Sequence, residues 1–347
     1  MDKTYYDGTK LLSLKDRNGK TPEIYVSTSN RSAGKTTWFN RYFVKRFLNH
    51  GEKFCLLYRY HYELDDVADK FFTDIARLFF KSDHMTAKRK ADGVYIELEL
   101  NNVSCGYAIA VNAADNVKKL SHLMSDSKRM LFDEFQPETG NYCPNEINKF
   151  QSVHTSLARG NGEQVRYLPV YMVSNFVTLM NPYYIAWDIA DKLQIDTKYY
   201  RGNGVVLEQG FYQSAADAQL ASGFNTAFSG SDYTKFAANK IYLNDKESFI
   251  EKLSGQNRYI CTIVVGGKMF SLREYPQHGI IYCSQSVDES FPVKYCVETN
   301  DHNLNYVLLS QSAPFLKVMR KFFDFGCFRF QNLSCKSAVF RLLALTV

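Results

Sequence analysis

No run of about 18 consecutive apolar residues occurs, so the chain offers no candidate for a bilayer-spanning helix. No C-x-x-C occurs either. The eight cysteines (55, 105, 143, 261, 283, 296, 327 and 335) are scattered through apolar runs such as Phe54-Cys55-Leu56, the pattern of reduced, buried thiols rather than of a disulfide framework. None of the seven histidines stands at ligand spacing from another, which excludes a readable metal cluster. Met1 to Lys10 has early charges and no apolar core, so it is not a secretory signal. A cytoplasmic location and no membrane partner are expected. Charge of one sign is also modest: the net +6 permits a polyanionic partner without requiring one.

What is present is a chain of 347 residues with 45% hydrophobic and 15% aromatic content, enough for two packed domains and far from the composition of a disordered chain. Residues Ser27 to Thr37 read Ser-Thr-Ser-Asn-Arg-Ser-Ala-Gly-Lys-Thr-Thr. This is a phosphate-binding loop, G-x-x-x-x-G-K-[ST], with Ser29 where the first glycine belongs and with Gly34, Lys35 and Thr36 in place. In such a loop backbone N–H groups and a helix N-terminus cradle phosphates, the lysine neutralises them and the hydroxyl reaches Mg²⁺. The flanks agree. Ile24-Tyr25-Val26 are β-formers, and Phe39, Phe43 and Phe47 recur at helical spacing up to a stop at Asn49-His50-Gly51. Ser is small enough for the backbone to wrap closely provided its φ stays negative.

After that helix, Lys53 to Arg59 is a nearly continuous apolar run, as in a strand buried on both faces. Asp65 to Phe80 has helical spacing, Lys81 to Asp92 reads as a basic polar loop, and Val94 to Leu98 and Gly106 to Val111 read as short strands. Alternation of strands and helices predicts a mostly parallel sheet with helices on both faces. Residues 1–22, polar with two tyrosines, are expected over the nucleotide base. A further strand, Arg129 to Phe132, runs into Asp133-Glu134. Two acids at the carboxyl end of a strand suit a metal-holding carboxylate followed by one that polarises water. Leu168 to Val173 ends at Ser174-Asn175, a polar pair that can hydrogen-bond a γ-phosphate or serve as an ordinary turn. Between them lies a helical stretch, Pro144 to Leu157, then Arg159 beside Gly160-Asn161-Gly162, which by residue type alone is a solvated arginine or a finger.

Residues 200–235 are rich in Gly, Ser, Ala and Asn and read as a connecting region. Beyond it, Tyr259 to Val265, Met269 to Arg273 and Gly279 to Cys283 read as an antiparallel meander with Gly-Gly and Pro-Gln-His-Gly turns. Pro314 opens a helix expected to turn Phe315, Val318, Met319, Phe322 and Phe323 inward, and a last helix runs from about Leu333 to Leu345.

Taken together, Asn30 to Thr37, Leu131 to Phe135, Tyr142-Cys-Pro-Asn145-Glu146, Ser174-Asn175 and Asn181-Pro182-Tyr183 resemble the DNA-packaging ATPases of short-tailed phages of the phi-twenty-nine type, relatives of large terminase subunits. Arg31, four residues before Lys35, is similar to the arginine that terminase-type loops carry. The resemblance covers nearly the whole chain. It implies an additional-strand P-loop ATPase domain (residues 1–200), a linker region (201–235) and a small RNase H-like α+β domain (236–347). It implies that Ser29, Asn30, Arg31, Ser32, Ala33, Gly34, Lys35, Thr36 and Thr37 bind ATP, that Thr36 and Asp133 hold Mg²⁺, that Glu134 activates water, and that Ser174 and Asn175 couple hydrolysis to movement. Arg159 falls at the family's trans-acting finger, with Arg166 as rival, and Lys118 at a second basic residue acting across the interface, with Lys119 beside it. The implied partners are double-stranded DNA, a portal or procapsid, a packaging RNA and further copies of the chain in a ring, five-membered in this family, in the host cytoplasm. Ser29 and Ser32 replace family glycines. Tyr259 to Val265 carries no acid, so a vestigial nuclease without DNA hydrolysis is expected. Two other readings share these residues: a helicase or remodelling P-loop ATPase, and a non-catalytic nucleic-acid-binding protein with a degenerate loop.

Overall fold

Successive residues of a strand point to opposite faces of its sheet, and the inner strands of this chain are apolar on both. Phe54 and Leu56 pack on one side with Phe39, Phe43 and Tyr171, while Cys55 and Leu57 pack on the other with Met130, Phe132 and Met172. The computed structural model describes residues 5–64, 70–159, 164–194, 196–238, 242, 249–310 and 312–345. It divides into two compact units, Met1–Asn244 and Asp245–Val347.

In the first unit the elements run α1 (Thr9–Ser13), β1 (Ile24–Ser29), α2 (Lys35–His50), β2 (Phe54–Tyr58), α3 (Lys70–Phe79), β3 (Met85–Lys90), β4 (Tyr95–Leu100), β5 (Val103–Ala110), α4 (Ala114–Leu120), β6 (Arg129–Asp133), α5 (Glu146–Leu157), β7 (Val170–Asn175), α6 (Pro182–Ala186), β8 (Tyr199–Arg201), β9 (Val205–Gly210), α7 (Gln213–Leu220), α8 (Gly223–Ala227) and α9 (Asp232–Ala238). One nine-stranded sheet has the order β3-β4-β5-β2-β6-β7-β1-β9-β8. From β5 to β9 the neighbours are parallel, and antiparallel strands close both edges. β7 lies between β1 and β6 and pairs with both, so the strand ending in Ser174-Asn175 separates the strand entering the loop from the strand ending in Asp133. This is the additional-strand arrangement that the family resemblance implies.

Two expectations are corrected. The basic loop at 81–92 contains β3, an edge strand antiparallel to β4, in which Lys88 and Lys90 pair with Glu99 and Glu97. Its charge reads as loop, yet cations along an edge strand blunt pairing with other chains. The linker expected at 201–235 supplies β9, whose six residues are all buried beside β1, followed by three helices. The first unit accordingly extends to Asn244. The expected helix at 65–80 is described from Lys70 on, its first five residues lying outside the described residues.

The second unit holds β10 (Arg258–Val265), β11 (Lys268–Tyr275), β12 (Ile280–Ser284), β13 (Lys294–Cys296), β14 (Val307–Leu308), α10 (Pro314–Asp324), β15 (Phe328–Phe330) and α11 (Leu333–Ala344). The meander β10-β11-β12 is antiparallel, and β13 and β14 continue the sheet parallel to β10 on its other side, giving β14-β13-β10-β11-β12-β15. That order is the RNase H-like one expected. Gly266 and Gly267, at φ 58° and 74°, form the two-residue hairpin turn that requires positive φ at both positions. Of the residues expected to point inward from α10, Met319 is buried and Val318 is 48% exposed; Leu316 is the second buried residue.

Candidate active site

The carboxyl ends of β1, β6 and β7 converge on one cleft. In register, Ser29 of β1 sits beside Asn175 of β7 and Gly210 of β9, and Asp133 of β6 sits beside Val173. Ser29 keeps a negative φ within its strand, which is why a side chain is tolerated where the motif has glycine. Ser32 does not: it holds φ 62°, a left-handed conformation that glycine adopts without strain, and its Oγ accepts a hydrogen bond from Gln219 Nε2 at 2.7 Å. Gly34, at φ 91°, caps α2 and lets the chain turn into the helix. The Ala33 carbonyl accepts the Tyr6 N–H at 2.9 Å, so the N-terminal segment is tied to the loop. Residues 1–4 lie outside the described residues. Thr37 is half-buried in the first turn of α2.

Lys35 is buried, and its ammonium donates to Ser29 Oγ at 2.6 Å, with longer contacts of 3.4 Å to the Asn30 carbonyl and Asn175 Oδ1. Burial pushes its pKa down to about 8; the Asp133 carboxylate opposes that shift and Arg31 adds to it. Asp133 accepts from Thr36 Oγ1 at 3.2 Å and from the Glu134 N–H at 2.9 Å. Its pKa is raised to about 6, first by burial and then by the neighbouring Glu134 charge, against the hydrogen bonds and Lys35. A hydroxyl and a carboxylate beside a phosphate cradle form a hard-oxygen donor set of the kind Mg²⁺ takes while keeping several waters. The residues fit that ion. Glu134 is exposed and lines two cavities of about 480 and 590 Å³ that flank it.

Arg31 forms an ion pair with Glu138 at 2.7 Å, and Asn175 Nδ2 donates to the same Glu138 oxygen at 3.2 Å. Tyr233 of α9 touches Arg31 and donates to Glu138 at 3.3 Å. Ser174 is buried and donates to the Asn175 carbonyl. The structure therefore brings Ser29, Asn30, Arg31, Lys35, Thr36, Asp133, Glu134 and Asn175 together. Arg159, exposed just after α5, and Lys118, paired with Asp115 on α4, do not line either cavity. Arg166, the rival finger, is buried and donates from Nη2 to the Leu157 carbonyl at 2.8 Å. Residues 160–163 of that loop lie outside the described residues.

Sequence reasoning missed Glu138, Tyr233, Arg59 and Glu146 as site residues. Arg59 and Glu146 form a buried ion pair, 2.9 Å from Nε to Oε2, directly behind Glu134. The available signal was an arginine ending an apolar strand, which must find a buried partner.

Comparison with known proteins decides the family. The model of the podovirus DNA encapsidation protein (Gp16) family matches residues 1–346. The chain belongs to that family. The DNA packaging protein of Bacillus phage phi29 is 25% identical over 347 residues, covering 99% of this chain and 98% of the relative. That of Bacillus phage B103 is 24% identical over 309 residues, covering 87% and 90%. Among solved structures, a chain of the bacteriophage Phi-29 viral genome packaging motor assembly matches at TM-score 0.72 and 22% identity, with 99% of each chain covered. The Phi-28 gp11 DNA packaging motor matches at TM-score 0.64 and 13% identity, covering 99% and 98%. This Gp16-family chain therefore has a fold shared over its whole length.

Proposed function

We propose that this Gp16-family chain hydrolyses ATP in the cleft between β1, β7 and β6 and uses the cycle to drive double-stranded DNA into a procapsid. The observation that carries the reading is the convergence of Lys35, Thr36, Asp133, Glu134 and Asn175 at the tips of three adjacent strands, at the start of α2. Backbone N–H groups from Ser32 to Thr36 and the Lys35 ammonium take the phosphates. Thr36 and Asp133 would hold Mg²⁺, which neutralises charge on the phosphate oxygens. The Glu134 carboxylate, on the open side of the cleft, orients water and accepts its proton. Asn175 shares Glu138 with Arg31 and contacts Lys35, so a phosphate that draws Arg31 or Lys35 away reorganises the β7 tip; Ser174 and Asn175 are the coupling pair in this reading.

In this reading each site is completed by a neighbour, and the exposure of Arg159 supports that role. In a ring of copies, five by family resemblance, Arg159 of the adjacent copy stabilises charge on the transferred phosphoryl, and Lys118 or Lys119 acts at the same interface. Fingers of this kind are worth about 10³ to 10⁵ in rate. Partners in this reading are duplex DNA, a portal or procapsid and a packaging RNA, in the host cytoplasm. Among the described residues no helix is long and apolar enough to cross a membrane. The second unit contributes contacts to nucleic acid or procapsid and no nuclease chemistry.

The test is ATP-dependent displacement of a triplex-forming strand from duplex DNA. Displacement without release of single strands is expected, and Arg159→Ala chains mixed into wild-type assemblies should suppress it out of proportion to their fraction. Unwinding of the duplex would make the chain a helicase instead.

A further inference from the structure

Glu134 stands in a backbone conformation that an L residue adopts only where its surroundings impose it. Its φ is 51°, in the left-handed region, immediately after β6. The surroundings that impose it centre on Arg59, the first residue after β2, the strand beside β6. Four of the five N–H groups of the Arg59 guanidinium are engaged. Nη1 donates to the Glu134 carbonyl at 3.2 Å and Nη2 to the Phe135 carbonyl at 2.8 Å, while Nε and Nη2 reach the two Glu146 oxygens at 2.9 and 3.2 Å. Glu146, the first residue of α5, is in turn held by the Cys143 N–H and the Tyr183 hydroxyl, each at 2.8 Å. The guanidinium lies over the rings of Phe132 and Tyr142, at 5.4 and 5.3 Å. Arg59 is 6% exposed and Glu146 4%.

A buried ion pair is weak evidence for stability, because apolar side chains of equal volume often serve as well. What apolar side chains cannot do is donate two diverging hydrogen bonds to consecutive carbonyls. We propose that Arg59 and Glu146 are positioning residues for ATP turnover: the Arg59 fork fixes the left-handed turn at Glu134, and Glu146 fixes the fork, so the Glu134 carboxylate is held toward the cleft. The proposal rests on the reading of Glu134 given above. Arg59 and Glu134 line both cavities, so the device stands at the wall of the cleft itself. The hydrogen bonds of Arg59 and Glu146 given above go to residues outside the loop that takes the phosphates, so their loss is felt in chemistry rather than in nucleotide binding.

The experiment compares full-length wild type, Arg59→Lys, Tyr183→Phe and the double variant Arg59→Met with Glu146→Met, in kcat for ATP, in affinity for a fluorescent ATP analogue and in thermal midpoint. The double variant is expected to melt with wild type and to bind the analogue within about threefold of it. Its kcat should fall about 10²-fold, the cost of a small misplacement of a catalytic group. Arg59→Lys should show the same split, since an ammonium offers no planar fork. If the double variant does not fold, Tyr183→Phe decides: removal of one hydroxyl from Glu146 should lower kcat with binding unchanged, and an unchanged kcat overturns the proposal. A folded double variant with wild-type kcat overturns it as well. Glu134→Gln run alongside keeps the two claims apart. Retained turnover in that variant defeats the reading of Glu134, whereas turnover lost there but kept in the double variant defeats the positioning role alone.

Discussion

Replacing Ser29 by alanine should tighten nucleotide binding. The Ser29 hydroxyl is the near partner of Lys35, at 2.6 Å, while the other two contacts of the ammonium are stretched to 3.4 Å. A hydrogen bond to a charged group contributes about 1.5 to 3 kcal/mol net. In the free protein that bond anchors a buried cation; when phosphate arrives, Lys35 turns to it and the serine bond is surrendered. Alanine removes a contact present only in the free state, so the free state rises by about 1.5 kcal/mol and the bound state does not, which is about tenfold in affinity. The assay is a titration of fluorescent ADP and ATP analogues into Ser29→Ala and wild type in the absence of DNA, with thermal midpoints recorded on the same samples. The variant should melt earlier without ligand and recover in saturating nucleotide. Equal or weaker affinity would refute the reasoning, because it would mean that Ser29 serves the bound loop as much as the free one.

Two further outcomes follow from the same structure. Gly106 of β5 faces Phe54 of β2 so closely that an added Cβ would lie 2.3 Å from the Phe54 carbonyl oxygen, and the obstacle is backbone. Gly106→Ala should therefore force β5 away from β2 in the middle of the sheet and cost about 3 kcal/mol, in the range of overpacked cores, read as a lower urea midpoint. Glu208 is buried in β9, where burial raises its pKa above 4.5 although the Tyr199 and Tyr6 hydroxyls hold the charged form. A raised carboxyl pKa favours the folded state below the unfolded value and loses that contribution as pH climbs through the folded one. Wild type should thus lose stability relative to Glu208→Gln as pH rises above the ordinary carboxylate value, measured by denaturant melts at a series of pH values; a gap independent of pH would contradict the assignment.

The nucleotide cleft was legible in the sequence because each element of it is local. Gly34-Lys35-Thr36 between a β-forming run and a phenylalanine-spaced helix, and Asp133-Glu134 ending an apolar strand, state both chemistry and place on the sheet. β3 was not legible, since alternating charge reads as loop until Glu97 and Glu99 on the facing strand are known. β9 was not legible either: Val205 to Gly210 sits within a stretch of Gly, Ser, Ala and Asn typical of a connector, and only pairing with β1 shows it as interior. The Arg59–Glu146 pair spans 87 residues of sequence, and neither partner has a local pattern that announces the other.

The most direct test of the account is steady-state ATP hydrolysis by the full chain with and without duplex DNA, comparing wild type with Glu134→Gln and measuring nucleotide binding in both. Wild type should turn over ATP faster on DNA, and Glu134→Gln should bind the nucleotide yet lose turnover by about 10² to 10⁴-fold, the range supplied by a general base. Hydrolysis undiminished in Glu134→Gln, or nucleotide binding without hydrolysis in wild type, would contradict it.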